Sequence, residues 1–378
     1  MAFEHYVMKG GRNLRLGYTT GTCAALAAAA AATLLLTGEK NERRSLATPK
    51  GIDVDAEILD AASDGNAARC AVRKDAGDDP DATDGILVYA TVEKRPDDAI
   101  VVDGGRGVGR VTRKGLEQPV GAAAINSVPR RMIEKEVRRA CDAAGYRGGM
   151  SVVISIPEGE TVAARTFNPT LGIVGGISVI GTSGIVEPMS AAALTDAIAV
   201  EMRMHQAEGV RRLILTPGNY GENFLREHGE LRGRPTVKCS NFIGEALDMA
   251  AGLGFEDVLV VGHAGKLVKL AGGIMDTHSR VADCRMELLA LHAALAGADA
   301  RTAREVLEAM TVDDGIDIVD ALGLREAVME SLLEKIDHYL RRRSRDAFAA
   351  GALLFTNRHG VLGATEGARS IMARWGKE

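Results

Sequence analysis

The apolar positions of this chain change rhythm near residue 166. Before that point an almost unbroken apolar run, Cys23–Leu36, reads as a buried helix. It follows Thr19-Thr20-Gly21-Thr22, and threonines before such a run are natural N-caps. Short strand patterns come next, over Asp53–Leu59, Arg69–Arg73, Ile86–Glu93, Ala99–Val102 and Val108–Thr112. Several alternate apolar with polar residues, as half-buried strands do. An amphipathic helix over Pro129–Ala144 carries Met132, Ile133, Val137 and Ala140 on one side and leads into a strand, Ser151–Ile156. Strands outnumber helices and short turns join them, so residues 1–165 are expected to form an α+β sandwich domain rather than βαβ units.

From residue 166 strand and helix patterns alternate. Ile177–Ile180 precedes a helix near Ser190–Ala207, and Arg212–Thr216 precedes one near Asn223–His228. Thr236–Cys239 precedes Phe242–Leu253, and the apolar run Val258–Val261 opens through Gly262-His263-Ala264-Gly265-Lys266 into Leu267–Ala271. The tail reads as helical from Ala303 to Arg345, then gives two short apolar runs, Ala352–Phe355 and Val361–Leu362, and a last helix. This alternation predicts an α/β domain over 166–378, with a mostly parallel, doubly wound (Rossmann-like) sheet.

Length and composition narrow the possibilities. At 378 residues, 46% of them hydrophobic, the chain can bury two full cores. A net charge of −5 offers no global attraction to nucleic acid or to an anionic membrane surface, so an anionic ligand would need a local basic cluster. The five cysteines are scattered and never form a C-x-x-C pair, and the histidines lack metal-ligand spacing, which points to a reducing compartment and to no metal site. The alanine-rich run is too short to span a bilayer, for which about 20 residues are needed. With no apolar leader pattern in Met1–Tyr18, a cytoplasmic protein is expected.

Three strand ends of the second half break into glycine loops: Gly181-Thr182-Ser183-Gly184, Pro217-Gly218-Asn219-Tyr220-Gly221 and Gly262-His263-Ala264-Gly265. Ligands of open α/β sheets bind outside the carboxyl ends of the strands, where glycine lets them approach the backbone. None of the three matches a dinucleotide fingerprint or a Walker P-loop. Gly175-Gly176 and Glu187 frame the first loop; Glu187 could take ribose hydroxyls or cap the next helix. Lys266 and Lys269 share a helical face, and His278 and Arg280 follow a glycine break, so these four could hold carboxylates or form a solvated basic face. The carboxylate-rich loop Asp75–Asp84 lacks EF-hand spacing and reads as an acidic surface turn, with a divalent-ion site as the alternative. Gly104-Gly-Arg-Gly107-Val-Gly109 precedes strand-like sequence, not a helix, and reads as a β-turn.

Taken in order, these blocks resemble the CbiD family of cobalt-precorrin-5B C(1)-methyltransferases. The matching stretches are Gly17–Ala25, Lys74–Asp81, Gly107–Thr112, Thr166–Pro169, Leu171–Ser178, Gly181–Met189, Pro217–Asn219, Lys238–Gly244 and Gly262–Arg280. Ala264, Thr170 and Asp276 depart from the family's usual residues. The resemblance implies methyl transfer from S-adenosylmethionine to C-1 of cobalt-precorrin-5B, giving cobalt-precorrin-6A, in anaerobic cobalamin biosynthesis. Cobalt would arrive only as part of the substrate, a small-molecule tetrapyrrole bearing carboxylates. On this reading Gly175, Gly176, Gly181, Thr182, Gly184, Glu187, Gly218 and Asn219 are expected to bind the methyl donor. Thr19, Thr20, Thr22, His263, Lys266, Lys269, His278 and Arg280 are expected to bind the substrate, with the ring between the sheet edge and the first domain. No catalytic residue follows from the motifs, and a homo-oligomer is compatible with them. The rival readings are a non-catalytic tetrapyrrole-binding or channelling protein and a nicotinamide-dependent oxidoreductase.

Overall fold

The computed structural model describes residues 3–377. Met1, Ala2 and Glu378, the outermost positions of the two expected domains, lie outside the described residues. The chain divides into two compact units, the first ending at Ser190 and the second beginning at Ala191.

The first unit is built on the alanine helix, α1 (Thr20–Thr37). Thr19 caps its start, accepting the Thr22 N–H, and Gly38 ends it in the left-handed conformation at φ 73°, where a side chain would be strained. Alanine dominates because the helix is buried nearly all round, and small side chains let neighbouring backbones approach. It packs against α2 (Ser127–Ala143) and a five-stranded sheet. The apolar face expected of α2 is the one it buries: Met132, Ile133, Val137 and Ala140. The strands are β1 (Leu59–Ser63), β2 (Ala67–Arg73), β3 (Leu87–Arg95), β4 (Ile100–Gly104) and β5 (Gly149–Ser155), in the order β1-β2-β3-β5-β4. All pairings are antiparallel except β5 with β4. That parallel pair, bridged by α2, is a βαβ crossover that the short-turn pattern had argued against.

The two compact units divide at 190/191, whereas the sequence pattern changes at 165/166. Ile173–Val174 pairs with Arg110–Val111, Gly176–Ile177 with Gly107–Val108, and Ile185–Val186 with Gly17–Tyr18. These two-residue ladders bind segment 166–190 to the first unit, so the Ile177–Ile180 pattern is not a strand of the second unit's sheet. The glycines at this crossing follow from backbone contact. A Cβ on Gly176 would sit 2.2 Å from the Gly107 carbonyl oxygen, and one on Gly107 1.7 Å from that of Ile156.

The second unit opens with α3 (Ala191–Ala207). Strand and helix then alternate: β6 (Arg212–Thr216), α4 (Asn219–Glu227), β7 (Thr236–Lys238), α5 (Ile243–Leu253) and β8 (Asp257–His263). A helical excursion follows, α6 (Arg285–Leu295), α7 (Ala300–Glu308), α8 (Val312–Ala321) and α9 (Arg325–Ser344). The chain ends on β9 (Ala349–Thr356), β10 (Gly360–Ala364) and α10 (Glu366–Trp375). The sheet order is β7-β6-β8-β9-β10, parallel except for the antiparallel last strand. Alternate residues of β6 and β8 enter different cores. Leu213, Leu215, Val258 and Val260 pack with α5, α6 and α9, whereas Ile214, Leu259 and Val261 pack with α4 and α10. Burial on both faces explains why β8 reads as a continuous apolar run rather than an alternating one.

Candidate functional site

Because β6, β7, β8 and β9 run parallel, their carboxyl ends meet at one edge of the second unit. Gly218, just past β6, holds φ 156° and ψ −177°, a region that essentially only glycine occupies. A Cβ there would find only the Lys266 ammonium within 4 Å, at 3.8 Å, so the loop leaves room beside the backbone. No side chain caps the start of α4; the Gly218 carbonyl takes the Gly221 N–H at 3.1 Å. Lys266 donates to the Pro217 carbonyl at 2.5 Å and ties the β8 turn to the β6 loop. Burial lowers its pKa, and the neighbouring Lys269 and Lys238 lower it further, against an opposing pull from Cys239. Lys238 donates to the Asn219 side chain and lies 3.3 Å from Glu222. Cys239 is fully buried behind this cluster and its thiol is pushed up to about 12 by desolvation.

His263 ends β8 and caps the short helix Ala264–Leu267, its Nδ1 accepting the Gly265 N–H at 3.1 Å. That bond leaves the proton of the neutral ring on Nε2. Burial lowers the His263 pKa, partly offset by Asp313. Its ring stands 5.5 Å from the ring of Tyr220 and 5.9 Å, edge-on, from that of Phe355.

The two lysines expected to share a basic face have different tasks. Lys269 is only 2% exposed and donates to the carbonyls of Thr277 at 3.0 Å and Ala282 at 2.7 Å. It is therefore an internal clamp on the 277–282 turn and not a surface point charge for a ligand. The turn it holds carries His278 and Arg280, both exposed. Asp276 accepts the His278 N–H at 3.0 Å, and His278 Nδ1 accepts the Arg280 N–H at 3.1 Å. An asparagine at 276 would accept the same bond through its Oδ1.

In the first unit the structure gives several expected ligand residues another use. Thr19, Thr20 and Thr22 are buried. Thr22 donates to the Gly184 carbonyl at 2.7 Å, and Thr20 both donates to the Ile180 carbonyl at 3.3 Å and accepts its N–H at 3.0 Å. The Gly21 N–H also goes to Ile180, at 3.2 Å. The loop 180–184 thus closes the start of α1, leaving neither free hydroxyls nor an open helix end for a carboxylate. Gly181 and Gly184 are glycine for that contact: a Cβ on Gly181 would lie 2.3 Å from Thr19 Oγ1, and one on Gly184 2.8 Å from Thr48. Gly176 is buried at the Gly107 crossing, while Gly175 and Thr182 are exposed. Glu187 neither caps a helix nor stands free. Lys50 at 2.8 Å and Lys9 at 2.9 Å pair with it and hold its carboxyl at about 2. The three glycine loops therefore do not form one sheet edge; only the second and third do. In the acidic loop, Asp75 takes both arms of Arg15, Asp81 pairs with buried Lys74 at 2.6 Å, and Asp84 accepts the Ala76 N–H.

Sequence reasoning passed over Tyr220 and Lys238 as site residues, although each adjoins a glycine loop or strand end already singled out. Asp313, on α8, acts on His263 through its charge alone and gave no local signal.

The second unit is thus an α/β unit whose sheet edge, loosened at Gly218, carries Lys238, Lys266 and a tautomer-fixed histidine. The chain belongs to the CbiD family: residues 7–188 match CbiD and residues 276–366 match CbiD, C-terminal domain. A protein of Ruminiclostridium cellulolyticum named cobalt-precorrin-5B C(1)-methyltransferase is 46% identical over 94% of this chain and 92% of its own length. One of the same name from Alkaliphilus metalliredigens is 43% identical over 95% of this chain and 94% of its own. A crystal structure of a cobalamin biosynthesis protein (cbiD) from Archaeoglobus fulgidus is 30% identical, covers 73% of this chain and 86% of that one, and has a TM-score of 0.40.

Proposed function

We propose that this chain is a cobalt-precorrin-5B C(1)-methyltransferase of cobalamin biosynthesis, working in the cytoplasm with S-adenosylmethionine as methyl donor. The observation that carries the reading is near-full-length identity of 40–46% to relatives bearing that name. The rival readings, a channelling protein or a nicotinamide enzyme, have no comparable support. We read the second unit's sheet as doubly wound and Rossmann-like, on the strength of its order β7-β6-β8-β9-β10 and the helices on both faces. We assign the methyl donor to the carboxyl edge, at Gly218 and Asn219, because the glycine conformation and the spare room beside it suit close approach of a ligand.

The substrate's carboxylates are assigned to Lys266, His278 and Arg280. Arg280 offers a bidentate fork and His278 an Nε2–H donor, its Nδ1 being already engaged. Bound at this edge, S-adenosylmethionine supplies an activated methyl group. The protein's part is to hold two reactants in line, which can account for roughly 7–11 kcal/mol of the barrier. Lys269 acts at one remove by fixing the turn that bears His278 and Arg280.

The test is incubation of the full chain with cobalt-precorrin-5B and methyl-labelled S-adenosylmethionine, followed by mass analysis of the ring. The expected result is one labelled methyl at C-1. Recovery of unaltered ring from protein that binds both compounds would assign it to the channelling reading.

A further inference from the structure

We propose that Tyr220 and His263 form one wall of the cofactor site and recognise its adenine, Tyr220 by stacking and His263 by donating its Nε2–H to a ring nitrogen. The inference rests on the assignment of this sheet edge to S-adenosylmethionine. Tyr220 lies on the first turn of α4, next to Gly218 and Asn219, with 61% of its surface exposed. No hydrogen bond of its hydroxyl is found among the described residues. A single exposed aromatic residue needs no explanation by itself. What singles this one out is the ring beside it.

The Tyr220 and His263 rings are 5.5 Å apart and inclined at 42°, so they cannot both lie flat on one planar group. The two rings are close enough for one adenine to stack on Tyr220 and take a hydrogen bond from the His263 ring. The imidazole cannot turn away easily. Its Nδ1 is committed to the Gly265 N–H, and its flank meets Phe355, which is 2% exposed and stacked on Phe224 at 4.1 Å. Nε2 is thus the one polar atom the ring can offer, with no partner among the described residues. The chemistry of that atom selects the ligand. Burial favours the neutral imidazole, a modest donor suited to an uncharged acceptor such as an adenine nitrogen. Carboxylates have stronger partners nearby in Lys266 and on the turn bearing Arg280.

The experiment is calorimetry on the full chain with two probes, S-adenosylhomocysteine and methylthioadenosine, which share the adenosine but differ in the amino-acid part. Tyr220→Ala is expected to weaken both by a similar factor of about ten or more, the range of base–aromatic stacking. Tyr220→Phe should retain both affinities. His263→Asn, which keeps a capping oxygen but lacks the ring donor, should also weaken both. Tyr220 is exposed enough that its variants should melt with the unaltered protein. Unchanged affinity of Tyr220→Ala for both probes would overturn the inference alone. A loss confined to S-adenosylhomocysteine would overturn it too, moving Tyr220 to the amino-acid end. Failure of the unaltered protein to bind either probe would remove the cofactor assignment and this inference with it.

Discussion

Replacing Thr22 with valine separates a cap from a ligand contact at the start of the alanine helix. Thr22 has no exposed surface, and its hydroxyl donates to the Gly184 carbonyl at 2.7 Å while lying 3.3 Å from Thr19 Oγ1. Valine keeps the shape and removes the bond. The Gly184 carbonyl still accepts the Thr19 N–H at 3.1 Å, so it is not orphaned. The cost is then the bond to Gly184, about 1 kcal/mol, with a smaller share for the long contact in which the Thr19 hydroxyl donates to Thr22. For a unit of this size that lowers the melting temperature by roughly 2–4 °C. Thr22→Ser keeps the bond but loses a buried methyl, again about 1 kcal/mol. Thr20→Val should cost more, about 2 kcal/mol, because the Ile180 N–H loses its acceptor. Thermal unfolding reads these losses and calorimetry with the precursor reads affinity, which should stay unchanged in all three. A fall of fivefold or more in precursor affinity with an unshifted melting temperature would restore these threonines to the binding site and refute the capping argument.

Lys269→Met should release the 277–282 turn at a net cost of about 2 kcal/mol, since two charge-assisted bonds are lost while the burial cost of an ammonium is also removed. Faster amide exchange across that turn, together with weaker precursor binding, is the expected signature; unchanged exchange would remove the clamp. Glu187→Gln should lower stability by no more than about 1 kcal/mol, because the pair with Lys50 and Lys9 is solvent-screened. The carboxyl titrates at about 2, below its ordinary 4.5, so its contribution is full above the ordinary value and fades as pH falls toward 2. Burial lowers the pKa of His292, which is 2% exposed and bonded to Ser331. The unfolded chain therefore binds the extra proton first, and stability should fall as pH drops below about 6.5. Denaturant unfolding between pH 7.5 and 5.5 should show a smaller loss for His292→Gln than for the unaltered chain, and equal losses would clear this histidine.

Much of the fold could be read from the chain because burial leaves a pattern that needs no knowledge of partners. The strands β6 and β8 are buried on both faces, so each is a compact apolar run, and the helices expected after β6 and β7 are present. The amphipathic stripe of α2 and the cap of α1 are local for the same reason. The edge carrying Gly218, His263 and Lys266 was legible because parallel strands must end on the same side.

What only tertiary structure decided are the contacts whose partners lie far along the chain. A glycine beside a ligand and a glycine beside another backbone look alike in sequence. Gly176 and Gly181 belong to the second kind, facing Gly107 and Thr19. Ladders of two residues carry no periodicity, so nothing in residues 166–190 announced that they fold with the first unit. Charge is equally silent about depth. Lys266 and Lys269 stand three apart, yet one stays at the edge and the other turns inward to two carbonyls. Sequence spacing puts two side chains on the same turn of helix; whether each finds a ligand, a carbonyl or water depends on what the rest of the chain packs against it.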